Sequence, residues 1–410
     1  VNVETIPVVG TEDQIDIVYS VDEETTGSVG GNIGYSDFGL MLGFNLQEQN
    51  FLGTGNTVGI GINKNIYSEM YNLSFMNPYA TKDGVSLGYN VYFRETDYGE
   101  FNVANYLTNS NGFGAQFGYP TSDITRLGFN VTYDKTDIDV GTLPALEIYD
   151  FVSAEGNIFE TLSVQFSWQR VTLNRGLFPT AGSSTVVSLS TTVPGSDLSY
   201  YRSSIRQRYY RPLSSNFVFG FSGELGYLDA YGETEETPFF QNFYAGGPRS
   251  LRGFESNTLG PRSTDAPCYE FNYEEKTCPN LIDTDGDGEL DSPYINPYAN
   301  STSRYRDRPI GGNIKVEGSM QLIFKLPFIE DQRSLRSAFF FDFGNVFSDN
   351  CKDYQINCYK PALEDLRYSY GVGVTWITGF GPLSLAISKP TNAGPQERTE
   401  EFQFTVGNVF

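Results

Sequence analysis

The chain has 410 residues, and its 27 lysines and arginines against 50 aspartates and glutamates give a net charge of −23. Such acidity argues against a nucleic-acid partner, which needs a basic surface, and the absence of histidine excludes His-based triads, general bases and metal ligands. No apolar run reaches the roughly 18 residues of a transmembrane helix. A closed β-barrel is the remaining way in which this chain could span a bilayer.

The first 24 residues are predicted to stand apart from the rest. They are acidic, their pattern is typical of the last strands of a soluble module, and a polar linker follows over 22–26. The opening residues lack the basic and apolar regions of a signal peptide, so we expect a mature or trimmed start.

From residue 25 onward, period-two alternation predicts β-strands. Within 85–94 the odd-numbered residues are apolar, and the even-numbered residues are mostly polar or glycine. Short turns such as 77–84 alternate with longer polar loops, which is typical of outer-membrane barrels. The predicted fold is all-β, a transmembrane antiparallel β-barrel spanning 25–410. About sixteen strands are expected near 27–36, 39–49, 57–65, 69–76, 85–95, 112–119, 124–134, 161–173, 183–194, 199–211, 216–228, 313–326, 336–346, 367–377, 382–388 and 401–410.

The longest connector, 229–312, exceeds ordinary loop lengths, and loops of this size are usually functional. Four of its acidic residues occupy positions 1, 3, 5 and 9 of a calcium-loop pattern, with Gly288 at position 6. They are Asp283, Asp285, Asp287 and Asp291. Tyr294 stands where the pattern needs a bidentate glutamate, so an acidic surface turn is the alternative. We expect no required cofactor, and at most a structural calcium ion.

The four cysteines form two close pairs in polar, loop-like sequence, Cys268 with Cys278 and Cys351 with Cys358. A zinc site usually has tighter C-x₂₋₄-C spacing. We therefore predict two loop disulfides in an oxidising compartment.

The segment FYAGGPRSLRGFESNTLGPR (243–262) carries a specific resemblance. Its Leu251, Arg252, Gly253 and Phe254 match an aliphatic-Arg-Gly-aromatic signature, and the motifs FLGTGN, NPYATKD and NFYAGG stand in the same order as in the family. The chain resembles the BamA family of outer-membrane β-barrel assembly insertases over essentially its whole length. The resemblance implies that residues 1–24 end the last periplasmic polypeptide-transport-associated (POTRA) domain.

In this family the signature loop folds back into the lumen and its arginine pairs with inward-facing acidic residues. Alternation puts Phe339, Phe341 and Phe343 on the lipid face, so Asp342 is expected to point inward as the partner of Arg252. Gln321 stands on the neighbouring strand where a second acidic partner would be sought. An ordinary solvated loop arginine is the alternative reading of Arg252.

The first and last barrel strands must pair to close the barrel. The first strand contains four glycines, Gly27, Gly30, Gly31 and Gly34, and each glycine in a strand interior lowers stability by roughly 0.5–1 kcal/mol relative to alanine. The last strand has Phe402 and Phe404 on one face, Gly407 near its end, and Phe410 as its terminal aromatic residue. We predict a weak seam, with Asn32 near Thr405 or in a neighbouring register; a lumen wall of small residues is the alternative explanation of the glycines.

The predicted function is an insertase without covalent chemistry, not an enzyme, that folds client β-barrel proteins into the bacterial outer membrane. A related polypeptide-secretion pore and a passive porin are the alternatives. The resemblance implies three kinds of partner: outer-membrane lipids, unfolded clients and periplasmic accessory lipoproteins. It also places the N-terminus in the periplasm.

Overall fold

The computed structural model describes residues 2–8, 10, 14–20, 25–37, 39–101, 103–104, 106–140, 145–264, 308–327, 329, 333–353, 355, 357–379 and 381–407. In chain order its strands are β1 (Asn2–Pro7), β2 (Ile15–Ser20), β3 (Gly27–Ser36), β4 (Gly39–Glu48), β5 (Thr57–Lys64), β6 (Ser68–Asn77), β7 (Ser86–Asp97), β8 (Tyr106–Ser122), β9 (Thr125–Val140), β10 (Ile158–Val171), β11 (Gly182–Thr192), β12 (Tyr200–Pro212), β13 (Phe217–Ala230), β14 (Gly253–Phe254), β15 (Ile314–Phe324), β16 (Leu335–Phe347), β17 (Arg367–Thr378), β18 (Gly381–Thr391), β19 (Thr399–Glu400) and β20 (Phe402–Val406).

Sixteen of these strands form one closed antiparallel barrel, which confirms the predicted fold. The remaining four make two small sheets, β1 with β2 and β14 with β19. One helix, α1 (Leu146–Glu155), lies between β9 and β10. Among the described residues no helix is long and apolar enough to cross a bilayer.

Alternation along β16 shows how the sequence builds the barrel wall. Phe339 and Phe341 are 51% and 41% exposed on the outer face, whereas Asp342 is fully buried inside. Because successive side chains of a strand point to opposite faces, one strand supplies both the lipid-facing surface and the polar lumen. The predicted orientation of this strand is confirmed by these exposures.

The strands β8 and β9 are longer than the predicted 112–119 and 124–134. They pair in one register from Tyr106↔Val140 to Pro120↔Arg126, and after a shift of register the last pair is Ser122↔Thr125. Sequence beyond the alternating stretches is polar on both faces, as in 134–137 (Asp-Lys-Thr-Asp). A strand that projects past the lipid needs no apolar face, so hydropathy underestimates its length.

Two buried clusters lie at the end of the barrel that carries the long connector. The first surrounds α1 and includes Ile148 and Phe151 packed against Phe159 and Phe239. The second lies among residues of the long connector and the barrel wall. These clusters fill the barrel at this end.

The barrel closes through a narrow seam between β3 and β20. On its other edge β3 pairs with β4 over ten residue pairs, Gly27↔Glu48 through Ser36↔Gly39. In the described part of the chain, β3 and β20 share the single pair Tyr35↔Val406. The rings of Tyr35 and Phe404 stack outside it with centroids 5.5 Å apart.

Glycine plays different roles on the two sides of this seam. Gly407 ends β20 with φ of +76°, its amide donates to the carbonyl oxygen of Pro382 at 2.9 Å, and an added Cβ would overlap the Ile33 carbonyl oxygen. By contrast, a Cβ at Gly30 or Gly31 would meet no atom within 4 Å. Close packing of a lumen wall therefore does not account for Gly30 and Gly31.

The connection between β16 and β17 contains the disulfide Cys351–Cys358, as predicted. Cys268, Cys278, Phe410 and the four candidate calcium ligands Asp283, Asp285, Asp287 and Asp291 lie outside the described residues. Within the described ranges, no group of three or more cysteine, aspartate or glutamate side chains is placed to hold a metal ion.

Peptide mapping without reduction tests both cysteine pairs. We expect one peptide linking Cys351 to Cys358 and a second linking Cys268 to Cys278, because each pair closes a short polar loop in an oxidising compartment. Reduction before digestion is the control and should release both links. Cross-pairing between the two loops, or four free thiols, would refute the prediction.

Alanine at Gly407 should destabilise the closed barrel by about 1–2 kcal/mol, because an L residue is strained in the left-handed region and its methyl group has no room. Gly30→Ala is the matched control, since its methyl group enters open space and should leave stability unchanged or raise it by up to roughly 1 kcal/mol. The measurement is the urea midpoint of unfolding in micelles. Equal midpoints for the two variants would contradict the seam geometry.

Candidate functional site

The signature loop lies inside the barrel. Leu251, Phe254 and Leu259 are fully buried and pack with residues of the barrel wall, including Leu228 and Val346. Burial of an aliphatic or aromatic side chain of this size contributes roughly 1.5–3 kcal/mol. An apolar contact therefore anchors this otherwise polar connector within the lumen.

Arg252 makes the strongest polar contact of the loop with the wall. Its Nε and Nη2 donate to the two carboxylate oxygens of Asp342, each at 2.7 Å, and its backbone amide donates to Asp342 Oδ2 at 3.2 Å. Nη2 also donates to Ser319 Oγ at 3.1 Å. The guanidinium carbon lies 3.4 Å from the centroid of the Phe340 ring. Such a paired, stacked geometry is specific to arginine and would be lost with lysine.

Gly253 lets the loop approach the wall closely. Its φ is +90°, and an added Cβ would lie 3.1 Å from Ser388 Oγ and 3.3 Å from Ser369 Cβ. The signature glycine is thus needed for its backbone conformation and for the space beside it.

Among the described residues, Gln321 and the loop arginine are joined only indirectly, because both donate to the hydroxyl of Ser319. Gln321 pairs with Phe340, and its Nε2 donates to Ser319 Oγ at 3.3 Å, while Ser319 is the residue directly opposite Asp342. The acidic residue of this strand that reaches the loop is Glu317, which accepts from Ser250 Oγ at 2.7 Å. Sequence reasoning missed Glu317, although its odd number places it on the same lumenal face as Ser319 and Gln321.

Gln403 on β20 is a second loop contact that the sequence pattern did not identify. Its Oε1 accepts from the Gly253 amide at 3.2 Å, and its Nε2 donates to the Phe254 carbonyl at 2.8 Å. Nε2 also donates to Glu400 at 3.3 Å, a carboxyl whose pKa is raised by partial burial. A lone polar residue between Phe402 and Phe404 was the available signal, since alternation turns Gln403 into the lumen.

Removal of the Arg252 side chain should release the loop while the barrel stays assembled. Deleting one partner of a buried charge pair typically costs about 3–5 kcal/mol, and here it would leave Asp342 buried without its guanidinium. We expect Arg252→Ala to make the loop protease-sensitive, with cleavage sites mapped by mass spectrometry. Arg206→Ala is the matched control, because the Arg206 side chain is 67% exposed in its pair with Glu224. Identical cleavage of both variants would argue against the docked loop.

Comparison with known proteins places these features in a family. A profile of the Omp85 superfamily domain matches residues 50–410. Over its whole length the chain is 29% identical to the outer membrane protein assembly factor BamA of Neisseria meningitidis, and it spans 50% of that protein. It is 22% identical to the human sorting and assembly machinery component 50 homolog, covering 88% of this chain and 67% of that one.

A solved structure agrees with the sequence comparison. The crystal structure of BamA from Haemophilus ducreyi lacking POTRA domains 1–3 superposes with a TM-score of 0.81 at 29% identity, covering 100% of this chain and 75% of that chain. The resemblance to BamA predicted from the signature and the motif order is confirmed. Since the superfamily profile covers most of its length, the chain belongs to the Omp85 superfamily.

Proposed function

We propose that this chain is an outer-membrane protein assembly factor, which folds and inserts client β-barrels at the seam between β3 and β20. The observation that carries the proposal is the single described pair Tyr35↔Val406, beside a β3 strand that pairs along its whole length on the opposite edge. The names of the relatives, outer membrane protein assembly factors, support the same role.

An open strand edge gives the seam a means of acting on a client. The amide and carbonyl groups of β3 that have no ladder partner in the described part of β20 can template an incoming strand by β-augmentation. Each main-chain hydrogen bond contributes about 0.5–1.5 kcal/mol net. A client strand that pairs with several residues of β3 therefore competes well against one pair with β20.

The small height of the barrel wall at the seam between β3 and β20 also favours insertion of a client there. The closing strand β20 has 5 described residues, the fewest of the sixteen barrel strands, whereas β17 and β16 on the same side of the seam have 12 and 13. A short hydrophobic wall is matched by local thinning of the bilayer. Thinner lipid beside the seam would lower the barrier to insertion of a client hairpin.

Occupation of the lumen counts against the passive porin. A passive porin needs an open path through the barrel, and the signature loop with its apolar cluster lies in that path. The proposed role involves no covalent step and is not enzymatic. We further infer three partners: client proteins, lipids around the exposed aromatic face, and periplasmic lipoproteins reached through a POTRA domain that ends at residue 24.

A covalent tether across the seam tests the proposal. The sequence suggested Asn32 opposite Thr405, but the pair Tyr35↔Val406 sets an antiparallel register in which Ser36 lies opposite Thr405. Both side chains are buried. In liposomes, the oxidised Ser36→Cys/Thr405→Cys barrel should insert clients about ten-fold slower or worse, because the open state is removed from the equilibrium.

The matched control is Ser110→Cys/Thr136→Cys, which joins directly paired residues of β8 and β9 with the same side-chain types. Oxidation there should leave insertion unchanged, and reduction should restore the seam variant. Unchanged insertion by the oxidised seam variant would rule out lateral opening and favour a passive pore.

A further inference from the structure

The signature loop contacts both sides of the seam. On the side of the last strand, β14 pairs with β19 through Gly253↔Glu400 and Phe254↔Thr399, and Gln403 holds the same two loop residues. The next residues continue this attachment, since the Glu255 amide donates to the Arg398 carbonyl at 3.0 Å. The loop is therefore joined to the closing strand and to the connection that precedes it.

A different loop residue reaches the first hairpin. Ser256 Oγ donates a hydrogen bond to Asp37 Oδ2. Asp37 lies in the turn between β3 and β4, two residues from Tyr35, the β3 partner in the seam. Residues 252–258 thus connect β16 and β20 to the turn of the first hairpin from inside the barrel.

We propose that residues 252–258 are a latch across the seam, and that opening of the seam breaks the latch at Ser256–Asp37. This inference rests on the proposed function, because seam opening is the step that the latch controls. When the first hairpin moves away, the loop stays with the last strand.

The difference in burial decides which side releases. Asp342 has no exposure and Gln403 is 2% exposed, so breaking either contact would strand a buried polar group. Asp37 is exposed, so water can replace the Ser256 hydroxyl as its donor, and the only group left buried is the neutral hydroxyl of Ser256, which is 5% exposed. The bond to the first hairpin is consequently the cheaper one to break.

The position of the latch gives it a regulatory effect. A client strand that pairs with β3 would pull the first hairpin outward, and the Ser256–Asp37 bond resists this movement. The latch therefore keeps the seam closed in the absence of a client without adding a main-chain pair that a client would have to displace.

Hydrogen exchange of the intact protein in liposomes, without client, tests the latch. Under conditions in which opening is a rapid pre-equilibrium, exchange rates follow the open population. In peptides containing Tyr35 and Val406, we expect Ser256→Ala to exchange about five-fold faster than the unaltered protein, as loss of one partly buried hydrogen bond between a neutral hydroxyl and a carboxylate would produce. Asp37→Ala should give the same increase.

Ser250→Ala is the matched control, because Ser250 lies in the same loop but binds Glu317 on β15, away from the seam. It should leave exchange at Tyr35 and Val406 unchanged. An unaltered rate in Ser256→Ala, or an equal rise in Ser250→Ala, would overturn the latch. If exchange rises as expected while the oxidised Ser36→Cys/Thr405→Cys barrel still inserts clients normally, the latch stands and the proposed function fails.

Discussion

The buried pair between Arg252 and Asp342 is the interaction on which the interior of this barrel depends. Asp342 has no solvent exposure, so its charge requires a partner within hydrogen-bonding distance. The partner comes from the long connector, more than 80 residues away in sequence, and brings the loop into the lumen with it. The loop therefore docks in the same step in which the buried carboxylate of Asp342 acquires its hydrogen-bond donors.

Once Arg252 is bound to Asp342, the positions of the neighbouring signature residues follow, because they adjoin Arg252 in the sequence. Leu251 and Phe254 enter the apolar cluster, and Gly253 passes close to β17 and β18. The Gly253 amide and Phe254 carbonyl then face Gln403 on β20. The last strand, whose described residues share one ladder pair with the first, thus receives support from inside the barrel.

Local periodicity was sufficient to predict the number of strands and the inward direction of Asp342. It could not identify Glu317 and Gln403 as loop contacts, because those depend on which residues the loop meets after docking. The offset of β20 against β3 was wrong by four residues, with Ser36 instead of Asn32 opposite Thr405. Strand offset in a barrel is set by the tilt of all strands together, which no single segment encodes.

The weak pair falls between β3 and β20 for a reason rooted in chain topology. In every other neighbouring pair of the barrel, the chain passes from one strand to the next barrel strand, through the long connector in the case of β13 and β15, so pairing closes a loop far shorter than the whole barrel sequence. The ends of the barrel sequence have no such connection, and their pairing must offset the closure entropy of the whole chain between them. By themselves, the ladder pair Tyr35↔Val406 and the stacked rings of Tyr35 and Phe404 offset little of this closure entropy. The loop in the lumen supplies a connection of another kind, built mainly from side chains, which holds the two strands in place without adding a further main-chain pair between the described residues of β3 and β20.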